Sequence, residues 1–372
     1  MTTKKARVIA MYLPQYHPIP ENDGIWGKGF TEWRNVVAAK PLYPDHYQPK
    51  LPSALGFYDL RLPEVREAQA QLARDHGVEG FCYYHYWFGG KRLLERPFNE
   101  VLASGKPDFP FCLCWANESW SGVWVGKPDE IIMEQTYPGP EEHASHFEYL
   151  LPAFRDPRYL RIDDKPIFFI YRAMKIPELH AFIGQWQALA RAAGLPGIYF
   201  IAVNHRNQTW EPGEHGFDAS VAHRLPDTRP WMSKRQPLRW LRFRLQALRN
   251  WPTIYRYEEA LHNPVFDKTR TGEWYPTVYP NWDTSARHGT RGLVMHGATP
   301  QLFRDQLRKA IDLVSDRPAD HRIVMLKSWN EWAEGNYVEP DQRYGTEFLE
   351  AIREEILPQT AVAHYGDVAE SK

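Results

Sequence analysis

The sequence predicts an α/β fold: a single (β/α)₈ TIM barrel with long βα loops after strands 1 and 6. Three observations carry this. Short β-rich apolar runs alternate with amphipathic helical patterns along the chain, the signature of parallel βα units. The runs number eight. No Gly-x-Gly-x-x-Gly follows the first of them, which argues against the doubly wound dinucleotide-binding alternative. The length of 372 residues lies within the span such barrels take, roughly 200 to more than 400.

The expected strands are Val8–Leu13, Gly80–Tyr84, Phe111–Trp115, Ile167–Tyr171, Tyr199–Val203, Ala219–Ala222, Thr277–Tyr279 and Ile323–Lys327. Between them, Pro63–His76, Glu141–Phe154, Ile176–Ala193 and Pro300–Ser315 read as helices. Pro63 and Pro300 suit first-turn positions, where a missing N–H costs nothing. Gly77 and Gly194 stand where a helix would stop. The connections Pro14–Leu62 and His223–Tyr275 are long enough to carry elements of their own. Residues 1–359 are expected to form the barrel, with 223–275 as a basic and aromatic insertion or lid. Residues 360–372 read as a flexible tail.

The 45 Lys and Arg against 46 Asp and Glu give a net charge of −1, which argues against a nucleic-acid partner. No apolar run is long enough for a membrane-spanning helix. Cys82, Cys112 and Cys114 sit in strand-like runs and read as reduced core thiols. With no secretory pattern at the N-terminus, a cytoplasmic location is expected. The 15 Trp, 20 Tyr and 18 Phe are a core's worth of aromatics. They are also flat surfaces on which sugar rings stack.

A barrel's active site lies at the C-terminal ends of its strands. Those ends carry Tyr, Trp, His, Asn and Glu, a mix suited to a neutral polyhydroxy ligand. Expected substrate-binding residues are Tyr12, Tyr84, His85, Trp87, Trp115, Asn117, Glu118, Trp120, Trp282 and Asn330; ordinary barrel packing is the competing reading for each. Glu118 has the further alternative of an ion pair with Arg or Lys. Glu331 and Glu334 are the sharpest pair. If Asn330 caps a helical turn, the two share a face with Cβ atoms ~5–6 Å apart. Close carboxylates drive their pKa values apart, so that one serves as acid and the other as base. The alternative is a solvated helix start, where Glu suits the macrodipole. No metal site and no cofactor are expected, because neither His-x-x-x-His, Cys-x-x-Cys nor a phosphate-cradling loop occurs.

The segment Ser328-Trp329-Asn330-Glu331-Trp332-Ala333-Glu334-Gly335 resembles the Asn-Glu-Trp-x-Glu-Gly signature of glycoside hydrolase family 99. Still closer is the resemblance to the WbsX-type proteins of surface-polysaccharide clusters. It rests on Tyr12-Leu13-Pro14-Gln15-Tyr16-His17-Pro18, Gly29-Phe30-Thr31-Glu32-Trp33, Gly56-Phe57-Tyr58-Asp59, Gly80 to Phe88 and Trp115-Ala116-Asn117-Glu118. The resemblance implies a barrel acting on glycans. In the hydrolases the substrates are α-mannosides, cleaved with retention through a 1,2-anhydro sugar. By motif position, Glu331 is then the base on the sugar's 2-hydroxyl and Glu334 the acid/base. A cytoplasmic glycosyltransferase of O-antigen or lipopolysaccharide biosynthesis is the other activity it implies, although no Asp-x-Asp is present to bridge a nucleotide sugar through a metal.

The stretch 224–256 is locally basic and interleaved with Trp, Leu and Phe. It reads as a helical lid over the barrel mouth, with peripheral contact to a membrane or a lipid-linked glycan as the second reading.

Overall fold

In a computed structural model, residues 4–122, 127–205, 210–223, 237–261 and 272–357 are described. Their centre is a parallel sheet curled into a nearly closed barrel. Its strands are β1 (Arg7–Tyr12), β2 (Val78–Phe88), β3 (Phe111–Trp115), β4 (Lys165–Ile170), β5 (Tyr199–His205), β6 (Ala219–His223), β7 (Trp274–Tyr275), β8 (Thr277–Val278) and β9 (Ile323–Leu326). The spatial order is β7-β6-β5-β4-β3-β2-β1-β9-β8. The expected seventh strand is thus two short segments separated by Pro276. The first pairs with β6 and the second with β9. Proline has no N–H to give a ladder, yet its carbonyl still accepts from the Met325 N–H at 2.9 Å. One chain segment thereby joins both sides of the barrel. Every expected strand is found; most are shifted by a residue or two at their ends, while β2 runs four residues beyond the expected Tyr84 and the split seventh strand starts three residues early.

The helices α1 (Pro63–Asp75), α2 (Arg96–Ser104), α3 (Pro140–Arg155), α4 (Leu179–Ala192), α5 (Pro237–Leu248), α6 (Pro300–Asp312) and α7 (Glu347–Ile356) surround it. Proline opens α1, α3 and α6 at the first turn. Thr299 caps α6 by accepting from the Leu302 N–H at 3.2 Å.

Strand alternation decides which side chains face the barrel axis and which face the helices. Inward residues Met11, Tyr84, Phe169, Tyr171, Val203, Val221, Thr277, Met325 and Lys327 line an axial cavity. Outward residues form the aromatic layer under the helices. The three cysteines are buried free thiols.

Of the two long connections, the first carries short helices at Pro20–Trp26 and Trp33–Ala38. Within 223–275 the described part holds α5, a strand Thr253–Arg256 paired with Leu293–His296, and a short helix Tyr257–Leu261. Residues 224–236 and 358–372, and with them the expected tail, lie outside the described residues.

Candidate active site

The chain leaving β9 makes a tight structure at the barrel mouth. Asn330–Glu331 pairs antiparallel with Asn336–Tyr337, and between them Trp332–Glu334 forms one 3₁₀ turn. Glu331, rather than Asn330, is the residue before that turn, so the expected Asn330 cap is not what is found. Residues three apart eclipse in a 3₁₀ turn, which still brings Glu331 and Glu334 to one side. Gly335 closes the turn with φ +52°. A Cβ there would lie 2.7 Å from both Asp283 Cβ and Lys50 Nζ, so glycine is required on conformational and steric grounds.

The two carboxyls sit in a row of charged groups. Lys327 Nζ donates to Glu331 Oε1 at 2.7 Å and to the Tyr84 hydroxyl at 2.8 Å. Arg287 Nη1 donates to Glu334 Oε1 at 2.5 Å, and Arg287 Nε to Glu32 Oε2 at 3.1 Å. The Glu331 side chain is 6% exposed and that of Glu334 14%. Among the described residues no donor reaches Glu331 Oε2. The two carboxyls are close enough to hydrogen-bond when one carries a proton.

Burial pushes Glu331 up to about 7, beating the Lys327 ammonium; the neighbouring Glu334 charge adds to the rise. Glu334 is also raised by burial. Arg287, Lys327 and the hydrogen bond from Glu331 together outweigh that and hold it below its usual range. The pair therefore takes up its first proton on Glu331, and Glu334 is the stronger acid.

The other expected binding residues divide by strand parity. Tyr84 faces the cavity. Trp120 packs edge-on against Tyr86 at 4.9 Å, and Glu118 is exposed at the rim, paired with Arg172 at 2.6 Å. Seven are placed elsewhere. His85 and Trp87 point outward from β2: His85 Nε2 meets His146 Nε2 at 2.9 Å, and the Trp87 ring stacks on His146 at 4.5 Å. Burial, with Arg92 adding, pushes His85 down to about 3, so it is a neutral core group. Trp115 also points outward, its indole N–H donating to the Trp87 carbonyl at 3.1 Å. Tyr12 lies under α1 and donates to Gln69 Oε1 at 2.7 Å. Asn117 ties two loops together, donating to Tyr137 and to the Arg172 carbonyl and accepting from the Arg172 N–H. Asn330 staples β9 to β1 by accepting from the Leu13 N–H at 2.8 Å and donating to the Leu13 carbonyl at 3.1 Å. Trp282 belongs to a separate small core with Phe243, Tyr255 and Tyr257.

Lys327, Arg287, Tyr86 and Tyr171 are not among the expected site residues, and Glu32 enters there only within the Gly29–Trp33 motif of the long first connection. Tyr86 and Lys327 carry a usable signal: each lies an even number of residues along its strand from an inward neighbour, Tyr84 and Met325 respectively. Arg287 and Glu32 come from connections distant in sequence, and no local pattern marks them.

The barrel is similar in fold to solved glycoside hydrolases. A protein described as glycoside hydrolase-like superposes with TM-score 0.61, at 17% identity over 96% of each chain. The GH99 endo-alpha-mannosidase from Bacteroides thetaiotaomicron superposes with TM-score 0.56, at 16% identity over 99% of this chain and 100% of that one. At such identities the likeness is one of fold. The chain belongs to the WbsX family: the family model described as Glycosyltransferase WbsX matches residues 8–352. The uncharacterized protein WxcX of Xanthomonas campestris pv. campestris, in two strains, is 39% identical over 365 residues. Those residues are 97% of this chain and 51% of WxcX, so the chain spans about half the length of the curated relatives it matches.

Proposed function

We propose that this chain is a retaining glycoside hydrolase or transglycosylase acting on α-linked glycans, α-mannoside-like ones among them. The observation that carries the reading is the Glu331–Glu334 pair at the barrel mouth, holding one proton between a buried lysine and a buried arginine. Acid–base cleavage of an acetal needs one proton donor and one acceptor in reach of the same bond. A merely adhesive site has no use for that arrangement.

In the proposed first step, the Glu331 carboxylate takes the proton of the sugar's 2-hydroxyl. That oxygen bonds to the anomeric carbon as the glycosidic C–O bond breaks, and Glu334 gives its proton to the leaving oxygen. In the second step Glu334 takes a proton from water, whose oxygen attacks the anomeric carbon. The C–O2 bond opens, and Glu331 returns the proton to O2. No protein nucleophile is used. The step needs the shared proton on Glu334, whereas the empty site keeps it on Glu331, one hydrogen bond away. A sugar hydroxyl donating to Glu331 favours its carboxylate form, and the proposal includes that transfer on substrate binding.

The family's description favours a second reading, a glycosyltransferase, which the resemblance places in surface-polysaccharide synthesis. Incubation with a panel of α-linked oligosaccharides and with nucleotide sugars, read by mass spectrometry, separates the two. Hydrolysis or transglycosylation of the oligosaccharides, unchanged in chelator, is the expected result. Transfer from a nucleotide sugar alone would overturn it.

A further inference from the structure

Helix α5 presents an apolar ridge to solvent. Leu241, Leu245 and Leu248, spaced four and three apart and hence on one face, are 48%, 42% and 78% exposed. Phe243 lies on the opposite face, 6% exposed, against Tyr255. The helix is therefore anchored by one apolar side and leaves a second apolar side uncovered. Its flanks are basic. The Arg244 guanidinium lies over the Trp240 ring at 4.9 Å, and Arg249 over Trp251 at 4.9 Å. In the sequence, no Asp or Glu occurs between Asp227 and Glu258, while Arg229, Lys234, Arg235, Arg239, Arg242, Arg244, Arg249 and Arg256 do. Arg242 is neutralised by Glu259 at 2.8 Å. A protein with net charge −1 thus concentrates, along its sequence, a run of positive charge around these exposed leucines.

We propose that this face of α5 docks on an anionic phospholipid surface. An amphipathic helix with leucines projecting, tryptophan beside them and arginines flanking the ridge suits the boundary between headgroups and acyl chains. The leucines enter the apolar edge, and the arginines reach back to lipid phosphates along their own aliphatic stems. A folded-protein partner would also cover the leucines, but the acid-free run argues for a surface dense in negative charge. The insertion leaves the barrel at the end of β6, the end where a barrel keeps its active site. If the proposed function holds, docking keeps the mouth beside a membrane-borne glycan; the lipid contact itself does not depend on that reading.

The test is co-sedimentation of the full chain with vesicles of phosphatidylcholine alone and with phosphatidylglycerol added. Binding is expected only to the anionic vesicles, weakening as salt rises. The triple variant Leu241→Ser/Leu245→Ser/Leu248→Ser removes insertion, and Arg244→Gln/Arg249→Gln removes charge. Each should cut binding by roughly tenfold or more with the melting temperature retained. Failure of the unaltered chain to bind anionic vesicles would overturn the proposal. So would equal binding to neutral vesicles, or a dimer in solution that the leucine variant dissociates.

Discussion

Glu331 and Glu339 are both buried, and burial pushes both up to about 7, yet their surroundings differ in kind. Glu339 is surrounded by neutral donors: Tyr58 OH at 2.8 Å and Trp332 Nε1 at 2.7 Å on one oxygen, Gln69 Nε2 at 2.6 Å on the other. Both of its oxygens are used. Glu331 has a cation on one oxygen and no donor on the other, and it faces a second carboxyl beside an axial cavity. A raised carboxyl pKa is therefore not by itself a mark of chemistry. What separates the two is that one Glu331 oxygen accepts no hydrogen bond among the described residues, while its partner Lys327 and that lysine's partner Tyr84 line the axial cavity. Glu339 fastens the loop after β9 to α1 and the first long connection.

The strongest way to break this contrast is to neutralise each acid. Glu331→Gln and Glu334→Gln should each lower kcat on an α-linked oligosaccharide by ~10²–10⁴-fold. Glu339→Gln should keep nearly full activity, because the Gln69 amide and Tyr12 hydroxyl can reverse their hydrogen bonds to accept the new N–H₂. An activated aryl glycoside should partly rescue the first step of Glu334→Gln and not Glu331→Gln. Rescue of Glu331→Gln instead would reverse the two roles, and normal turnover of a 2-deoxy substrate would exclude the neighbouring-group route.

Stability should divide the same way. Arg287→Met leaves Glu32 and Glu334 as buried carboxylates without their cation and is expected to cost about 3–5 kcal/mol in urea unfolding. Glu339→Leu strands three donors at ~1–3 kcal/mol each, so a loss of about 3 kcal/mol or more is expected. A loss below about 1 kcal/mol in either variant would mean that the groups are solvated in solution.

The pH dependence of stability has a definite sign. The folded state holds a proton on Glu339 up to about pH 7, where the unfolded chain releases it near its ordinary value of 4.5. The native state binds more protons in that window, so this group's contribution falls as pH rises through it, by on the order of 3 kcal/mol. Glu331 acts in the same direction. Thermal unfolding of Glu339→Gln should therefore show a shallower decline between pH 5 and 7 than the unaltered chain. An unchanged slope would show that Glu339 is ionised throughout.

The barrel was legible in the sequence because eight apolar runs with intervening helices admit few arrangements. The Glu331–Glu334 pair was legible from its place after the last strand. What failed was the assumption that polar and aromatic residues at strand ends face the mouth. Tyr84-His85-Tyr86-Trp87 alternates, so half of such a run must face the helices; His85, Trp87 and Trp115 were counted on the wrong side of the sheet. Asn117 and Asn330 failed for another reason. An amide at a strand end has backbone groups of the next loop to satisfy, and both residues do that. The counter-charges were invisible because Arg287 and Glu32 are 255 positions apart and meet only in the folded barrel.

The finest test of the contrast is Lys327→Met. Lys327 acts on the reacting pair through Glu331 and is a positioning residue in this scheme. Its ammonium holds Glu331 lower than burial alone would. Removing it should raise Glu331 further, so the pair keeps its single proton to higher pH. The proposed chemistry needs that proton. Activity should fall as pH rises through the upper value, near 7 for the unaltered chain, and fall again at low pH when both carboxyls are protonated. In Lys327→Met the alkaline limb should move up by up to about one pH unit. A purely structural loss would lower kcat at every pH and leave the limb where it was. An alkaline limb that moves down would overturn the assignment of that limb to Glu331.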